Sequence, residues 1–177
     1  MKKPSLILFS ILILFLTFPS LSSEIKEITA DYKKLKVVDG DTIKIGSTKI
    51  RLYGIDAPEI GQICINKMKE PYDCGLYSKK HLEKAIGKGE FQVTCVYNSV
   101  DIYKRILGIC YRGIKNPDAE RPEILNVNYF MVGTGRAVAY TKYSNLYFKA
   151  EKFARRSRRG IWQGEFDMPW DWRKKNR

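Results

Sequence analysis

Histidine is almost absent from this chain: His81 is the single one among 177 residues. Chemistry built on paired histidines or on a histidine–metal motif is therefore excluded, and His81, set in a lysine-rich stretch, reads as solvent-facing and non-catalytic. Cysteine is scarce too, with four residues and no C-x-x-C pair, which argues against a zinc site. No apolar run is long enough to span a bilayer with ease. The longest, Leu6 to Phe18, has 13 residues where a spanning helix needs about 20. Acidic residues are outnumbered, 19 against 32 Lys and Arg, for a formal net charge of +13.

What is present begins with an export signal. Lys2 and Lys3 form a basic start, the apolar run follows, and Ser20-Leu21-Ser22 offers small residues of the kind a signal peptidase reads. The expectation is a cleaved signal peptide at 1–22, an uncleaved anchor being the alternative, and one domain at 23–177 with a basic C-terminal tail. Losing the leader removes two lysines and leaves +11. An exported protein this basic is expected to meet polyanions: nucleic acid, anionic lipid or acidic glycan. An oxidising compartment suits the cysteines. Four allow three pairings; the economical one joins neighbours, Cys64 with Cys74 and Cys95 with Cys110, and buried free thiols are the alternative.

The patterning predicts strands at Leu35–Val38, Thr42–Ile45 and Lys49–Ile55, the last two turning at Gly46-Ser47-Thr48. A loop at 60–75 and a helix at Ser78–Ile86, stopped by Gly87, come next. Glu90–Tyr97 and Arg105–Tyr111 pair as a hairpin, and 113–123 is an exposed loop. Asn128 caps a short helix ending near Gly133 and Gly135. Arg136–Tyr140 is a short strand, and a clear helix runs from Ser144 to Gly160. There is no internal repeat. The fold class is α+β, a small domain around a barrel-like sheet.

Against so basic a background, Asp39, Asp41, Asp56 and Glu59 crowd around Arg51. Asp41 opens one strand of a tight hairpin and Asp56 closes the other, so both carboxylates lie towards the end opposite the turn. Two carboxylates with a nearby backbone carbonyl suit Ca²⁺, which prefers hard oxygen ligands at flexible geometry. Glu59 can accept a proton from water, and Arg51 can fork onto a phosphate as lysine cannot. The same spacing also fits an exposed hairpin with acids in its turns and an incidental arginine.

The ordered motifs decide between these readings. Val38-Asp39-Gly40-Asp41-Thr42, Arg51-Leu52 and Ile55-Asp56-Ala57-Pro58-Glu59 closely resemble the staphylococcal nuclease (thermonuclease) family. The resemblance continues through Asp101-Ile102-Tyr103-Lys104-Arg105-Ile106-Leu107, similar to that family's D-x-Y-G-R-x-L segment, and through Asn128, Gly135-Arg136-Ala137, Glu151, Ala154-Arg155 and Gly160-Ile161-Trp162. It implies a five-stranded OB-fold β-barrel with about three helices. It also implies a Ca²⁺-dependent endonuclease of low sequence specificity on DNA and RNA, leaving 3′-phosphates. Carried over, Asp41, Asp56 and the Ala57 carbonyl hold Ca²⁺; Glu59 is the general base; Arg51 and Arg105 are the catalytic phosphate clamps; Tyr103 helps position substrate. No obligate protein partner is implied, and a monomer is expected.

Three departures stand out. Ala57 sits where many members have threonine, Lys104 replaces a glycine, and the 60–75 and 113–123 loops are long. Arg155 to Arg159 read equally as a nucleic-acid grip or as a helix end favoured by the dipole. Trp162, Trp170 and Trp172 read as packing the C-terminal tail onto the domain, with base stacking as the alternative. A catalytically inactive OB module binding nucleic acid or other polyanions is the rival function, and action at anionic membranes a third that leaves the acidic cluster unexplained.

Overall fold

A computed structural model describes residues 24–87, 89, 91–114 and 124–176; the expected signal peptide and most of the 113–123 loop lie outside them. The main sheet runs in the order β1 (Lys26–Asp31), β8 (Phe91–Val100), β9 (Ile106–Ile114), β4 (Thr48–Leu52), β3 (Thr42–Ile45), β2 (Leu35–Val37), with β10 (Leu125–Asn126) on β9. All pairings are antiparallel except β4 with β9, where Arg51 stands opposite Leu107. This curled sheet, with its helices, is an α+β OB-type fold. Two short pairs complete it: β5 (Ile55–Asp56) with β11 (Val138–Ala139), and β6 (Ile63–Ile65) with β7 (Pro71–Asp73).

Alternation along β4 explains both the core and the site. Ile50 and Leu52 are fully buried in the barrel with Ile43, Ile55 and Val93, so Arg51, between them, points to the other face. Helices α1 (Cys74–Ile86) and α2 (Val127–Gly133) close the core with Leu82, Ile86, Val127, Met131 and Val132, and α3 (Phe148–Arg156) adds Ala150. No described helix is long and apolar enough to cross a membrane.

Several expectations are corrected. The 60–75 segment holds the β6–β7 pair rather than loop alone, and α1 starts four residues early because Asp73 accepts from the Leu76 amide as N-cap. Asn126, not Asn128, caps α2. Asn128 is fully buried, accepting from the Cys110 amide (3.0 Å) and donating to the Tyr53 and Gly108 carbonyls. The last predicted helix begins at Phe148, and a fourth helix, α4 (Pro169–Lys175), follows it. His81 is half-buried rather than solvent-facing. Its ring stacks 5.2 Å from Phe130, and burial, with Arg136 and Lys84 nearby, lowers its pKa to about 4.

The cysteines form two bridges, Cys64–Cys74 and Cys95–Cys110. The second joins directly paired residues of β8 and β9. The first anchors a separate small core in which Val138 and Ile161 pack with Trp162, Phe166, Met168 and Trp170. The C-terminal tail is thus built onto the domain.

Candidate active site

The acidic residues converge at one rim of the barrel. Asp41 enters β3 from a turn in which Asp39 accepts from the Asp41 amide at 3.0 Å. Asp56 ends β5, paired with Val138. Both are buried, at 4% and 0% exposure, and Arg51 joins them: Nη1 donates to Asp41 Oδ1 at 2.6 Å and Nη2 to Asp56 Oδ1 at 2.7 Å. The other Asp41 oxygen accepts from the Ala57 amide at 3.1 Å. One guanidinium therefore spans the mouth of the hairpin and fixes its two carboxylates in register.

Two close approaches set this geometry. A Cβ on Gly40 would stand 2.2 Å from Ser78 Oγ and 2.6 Å from Ala57 Cβ, and one on Gly75 would stand 1.8 Å from the Glu59 carbonyl oxygen. Helix α1 thus lies directly against both acidic turns. Glu59 is further held by its amide, which donates to Gln62 Oε1 at 3.1 Å.

A side chain the sequence reading missed completes the cluster. Arg173, on α4, donates to Asp56 Oδ1 and Oδ2 at 3.0 and 2.8 Å and to Glu59 Oε1 at 2.7 Å. It lies 114 positions from Glu59, inside a basic tail that composition marks only as charged. Burial works against the charge of both arginines, but Asp56 and its neighbours hold them firmly protonated. Burial also pushes the Asp56 carboxyl up, yet three guanidinium bonds on its two oxygens fit the ionised form. Asp39, half-buried and beside Asp41, is pushed up to about 6 by burial and that neighbouring charge.

Arg105 stands apart from the carboxylates. Its Nε donates to Asp101 Oδ2 at 2.7 Å, and its guanidinium lies 5.5 Å from the exposed Tyr103 ring. Lys104 before it takes φ +61°, the left-handed geometry that favours glycine. Arg51, Arg105, Arg173, Glu59 and Tyr103 nonetheless line one open groove of about 560 Å³, with Tyr53, Tyr140 and Tyr143. A larger groove of about 870 Å³, lined by Lys36, Lys79, Lys80, Lys84 and Arg136, contains none of the clustered aspartates.

Among the described residues no three His, Cys, Asp or Glu side chains converge on one metal position. The donor set is nevertheless of the right chemistry for a hard cation. Three carboxylates, of Asp41, Asp56 and Glu59, face the two guanidiniums that touch them, and Asp39 adds a fourth beside Asp41.

With this constellation on a curled OB-type sheet, comparison with known proteins is specific. The family model described as staphylococcal nuclease homologue matches residues 49–164. The chain belongs to that family. Over 149 residues it is 33% identical to a micrococcal nuclease of Shigella flexneri, covering 79% of this chain and 78% of that protein. It is 34% identical over 147 residues to an uncharacterized endonuclease of Escherichia coli, covering 78% and 82%. A succinoglycan biosynthesis protein, ExoI, of Rhizobium meliloti (strain 1021) is 31% identical over 130 residues, 73% of this chain but 63% of that protein. Arg173 and Asp41 both lie outside the matched range.

Proposed function

We propose that this protein is an exported nuclease that hydrolyses phosphodiester bonds of DNA and RNA with low sequence specificity and leaves 3′-phosphates. The observation that carries this reading is the convergence of Arg51, Asp41, Asp56 and Glu59 at one rim, in a chain of the staphylococcal nuclease family. The two disulfides suit an oxidising compartment.

In this reading Glu59 takes a proton from water as that water attacks phosphorus in line. Arg51 and Arg105, approaching one groove from β4 and from the turn before β9, bind the non-bridging oxygens as charge develops on them. The exposed Tyr103 ring offers a face for the nucleotide. Asp41, Asp56 and the Ala57 carbonyl are the residues to hold Ca²⁺. Bound there, the ion supplies electrostatic stabilisation of the same phosphoryl charge.

Turnover of plasmid DNA and of RNA by the mature chain, with Ca²⁺ and with excess EGTA, tests the reading alongside Glu59→Gln. Cleavage should require Ca²⁺, and Glu59→Gln should lose about 10² or more in turnover while binding nucleic acid as the wild type does. Full activity in EGTA sinks the metal assignment. The larger, lysine-rich groove favours a second reading, a polyanion-binding module; salt-sensitive DNA binding without cleavage in Ca²⁺ selects it.

A further inference from the structure

Arg173 is held too firmly to be an incidental tail charge. Its side chain is 17% exposed and grips Asp56, whose side chain is 0% exposed, through two parallel N–H···O bonds. That pairing fixes the guanidinium plane, so the second N–H of Nη1 is delivered to Glu59 Oε1 at 2.7 Å. The segment leading into the helix that carries it is also fastened to the chain around Glu59. Buried Gln62 accepts from the Glu59 amide and donates to the Asp167 carbonyl at 2.8 Å. Ile65 and Glu165 exchange two backbone hydrogen bonds, at 2.8 and 3.0 Å. Trp170 stacks on Tyr140, with 5.4 Å between ring centroids and 5° between planes.

We propose that Arg173 is a positioning residue of the nuclease site: anchored on Asp56, it fixes the orientation of the Glu59 carboxylate that receives the proton from water. The role rests on the nuclease reading of Glu59. It differs from that of a displaceable plug, because the segment leading into α4 is tied down by the Gln62–Asp167 and Ile65–Glu165 links, and moving α4 aside would lift Trp170 off Tyr140 and off the small core of Cys64, Cys74 and Ile161. The fork is what matters: lysine retains the charge but cannot hold Asp56 at both oxygens and Glu59 together.

The test is steady-state cleavage by Arg173→Ala, Arg173→Lys, Glu59→Gln and the Arg173→Ala/Glu59→Gln double variant. Lys174→Ala, which changes an exposed charge on the same helix, is the control. Loss of a supporting contact of this kind costs about 10- to 100-fold in turnover, and KM should move far less. Millimolar guanidinium should restore part of the turnover of Arg173→Ala and none of that of Glu59→Gln. In the Glu59→Gln background, removing Arg173 should cost little more, because its action runs through Glu59. Arg173→Lys, which keeps the charge should the alanine variant fail to fold, should be slow although folded. Wild-type or faster turnover by the folded Arg173 variants overturns the proposal, as does full additivity with Glu59→Gln. If Glu59→Gln itself cleaves like the wild type, the nuclease reading of the site fails instead.

Discussion

Arg51 and Asp41 meet at 2.6 Å where β4 runs beside the turn into β3, and the same guanidinium reaches Asp56 at 2.7 Å. Neither aspartate has much water to fall back on. Arg51→Lys keeps the charge but cannot serve both carboxylates, so one loses a charged donor in a buried setting. Stability should fall by about 1–3 kcal/mol, read by urea titration, and turnover by about 10². A variant that keeps both wild-type stability and activity shows that the bridge has no role.

Asp39 makes a pH prediction for the metal-free protein. Its folded pKa, about 6, lies above the ordinary 3.8 because burial and Asp41 oppose ionisation. The folded state therefore binds the proton more tightly than the unfolded state. The associated stability is fully present below about pH 4 and is lost as pH rises through 6. A folded pKa of about 6 against 3.8 corresponds to roughly 3 kcal/mol. Asp39→Asn keeps an oxygen to accept from the Asp41 amide, so it should be more stable than the wild type at pH 7 and show a flatter stability profile between pH 4 and 6. Denaturation midpoints across that range in EGTA decide it; parallel profiles for the two proteins sink the assignment.

The parts of the site that could be read in the sequence are those whose neighbours are near in the chain or fixed by strand alternation. Arg51 lies between Ile50 and Leu52, so a period of two turns it away from the core, and Asp41 and Asp56 flank one hairpin at the end opposite its turn. Arg173 could not be placed in this way. Its partners are 114 and 117 positions distant, and the contact depends on a tail held by Gln62 and by a second core that no local pattern reveals. Asn128 illustrates the opposite error. Its type and place before a short helix suit a cap, yet Asn126 caps, and Asn128 satisfies buried backbone groups of β9 and of the turn after β4. His81 failed for a related reason: lysines surround it in sequence, whereas Phe130, on another helix, covers it in space.

Lys104 offers a stabilising substitution. At φ +61° a residue with a Cβ carries roughly 1–2 kcal/mol of strain, part of which glycine relieves while costing entropy in the unfolded chain. Lys104→Gly should raise stability by up to about 1 kcal/mol, seen as a higher thermal midpoint. Arg105 keeps its bonds to Asp101, so turnover should not fall. A lower midpoint would show that the turn has already relaxed around lysine.

Gly75→Ala probes the contact between α1 and the turn carrying Glu59. The added methyl would meet the Glu59 carbonyl oxygen at 1.8 Å; a Cβ has no torsion of its own and the atoms it meets are backbone, so no side-chain rotation relieves the clash. Overpacking of this kind costs about 1–3 kcal/mol. Displacing Glu59 should also lower turnover about tenfold or more, consistent with the sensitivity of catalysis to small misplacements. Stability and kinetics measured on the same preparation check both effects.

The two disulfides should fail differently. Each closes a short segment, with 10 residues of separation for Cys64–Cys74 and 15 for Cys95–Cys110, so the chain-entropy model assigns each about 3 kcal/mol. Their surroundings differ. Cys95 and Cys110 lie in the main core between paired strands, where the hydrogen-bonded ladder of β8 and β9 remains after the bridge is gone. The Cys95→Ala/Cys110→Ala variant should lose stability yet, below its melting temperature, cleave within about twofold of the wild type. Cys64 and Cys74 hold β6 and the start of α1 together under Ile161, Trp162, Phe166 and Trp170. That small core seats α4, and α4 delivers Arg173 to Asp56 and Glu59. Cys64→Ala/Cys74→Ala should therefore lose a similar amount of stability and, in addition, at least tenfold in turnover while still folded, because a loosened seat misplaces groups in the site. Protease sensitivity after residue 164 should rise in this variant alone. Equal activity losses in the two double variants would break the link between the Cys64–Cys74 bridge and the site.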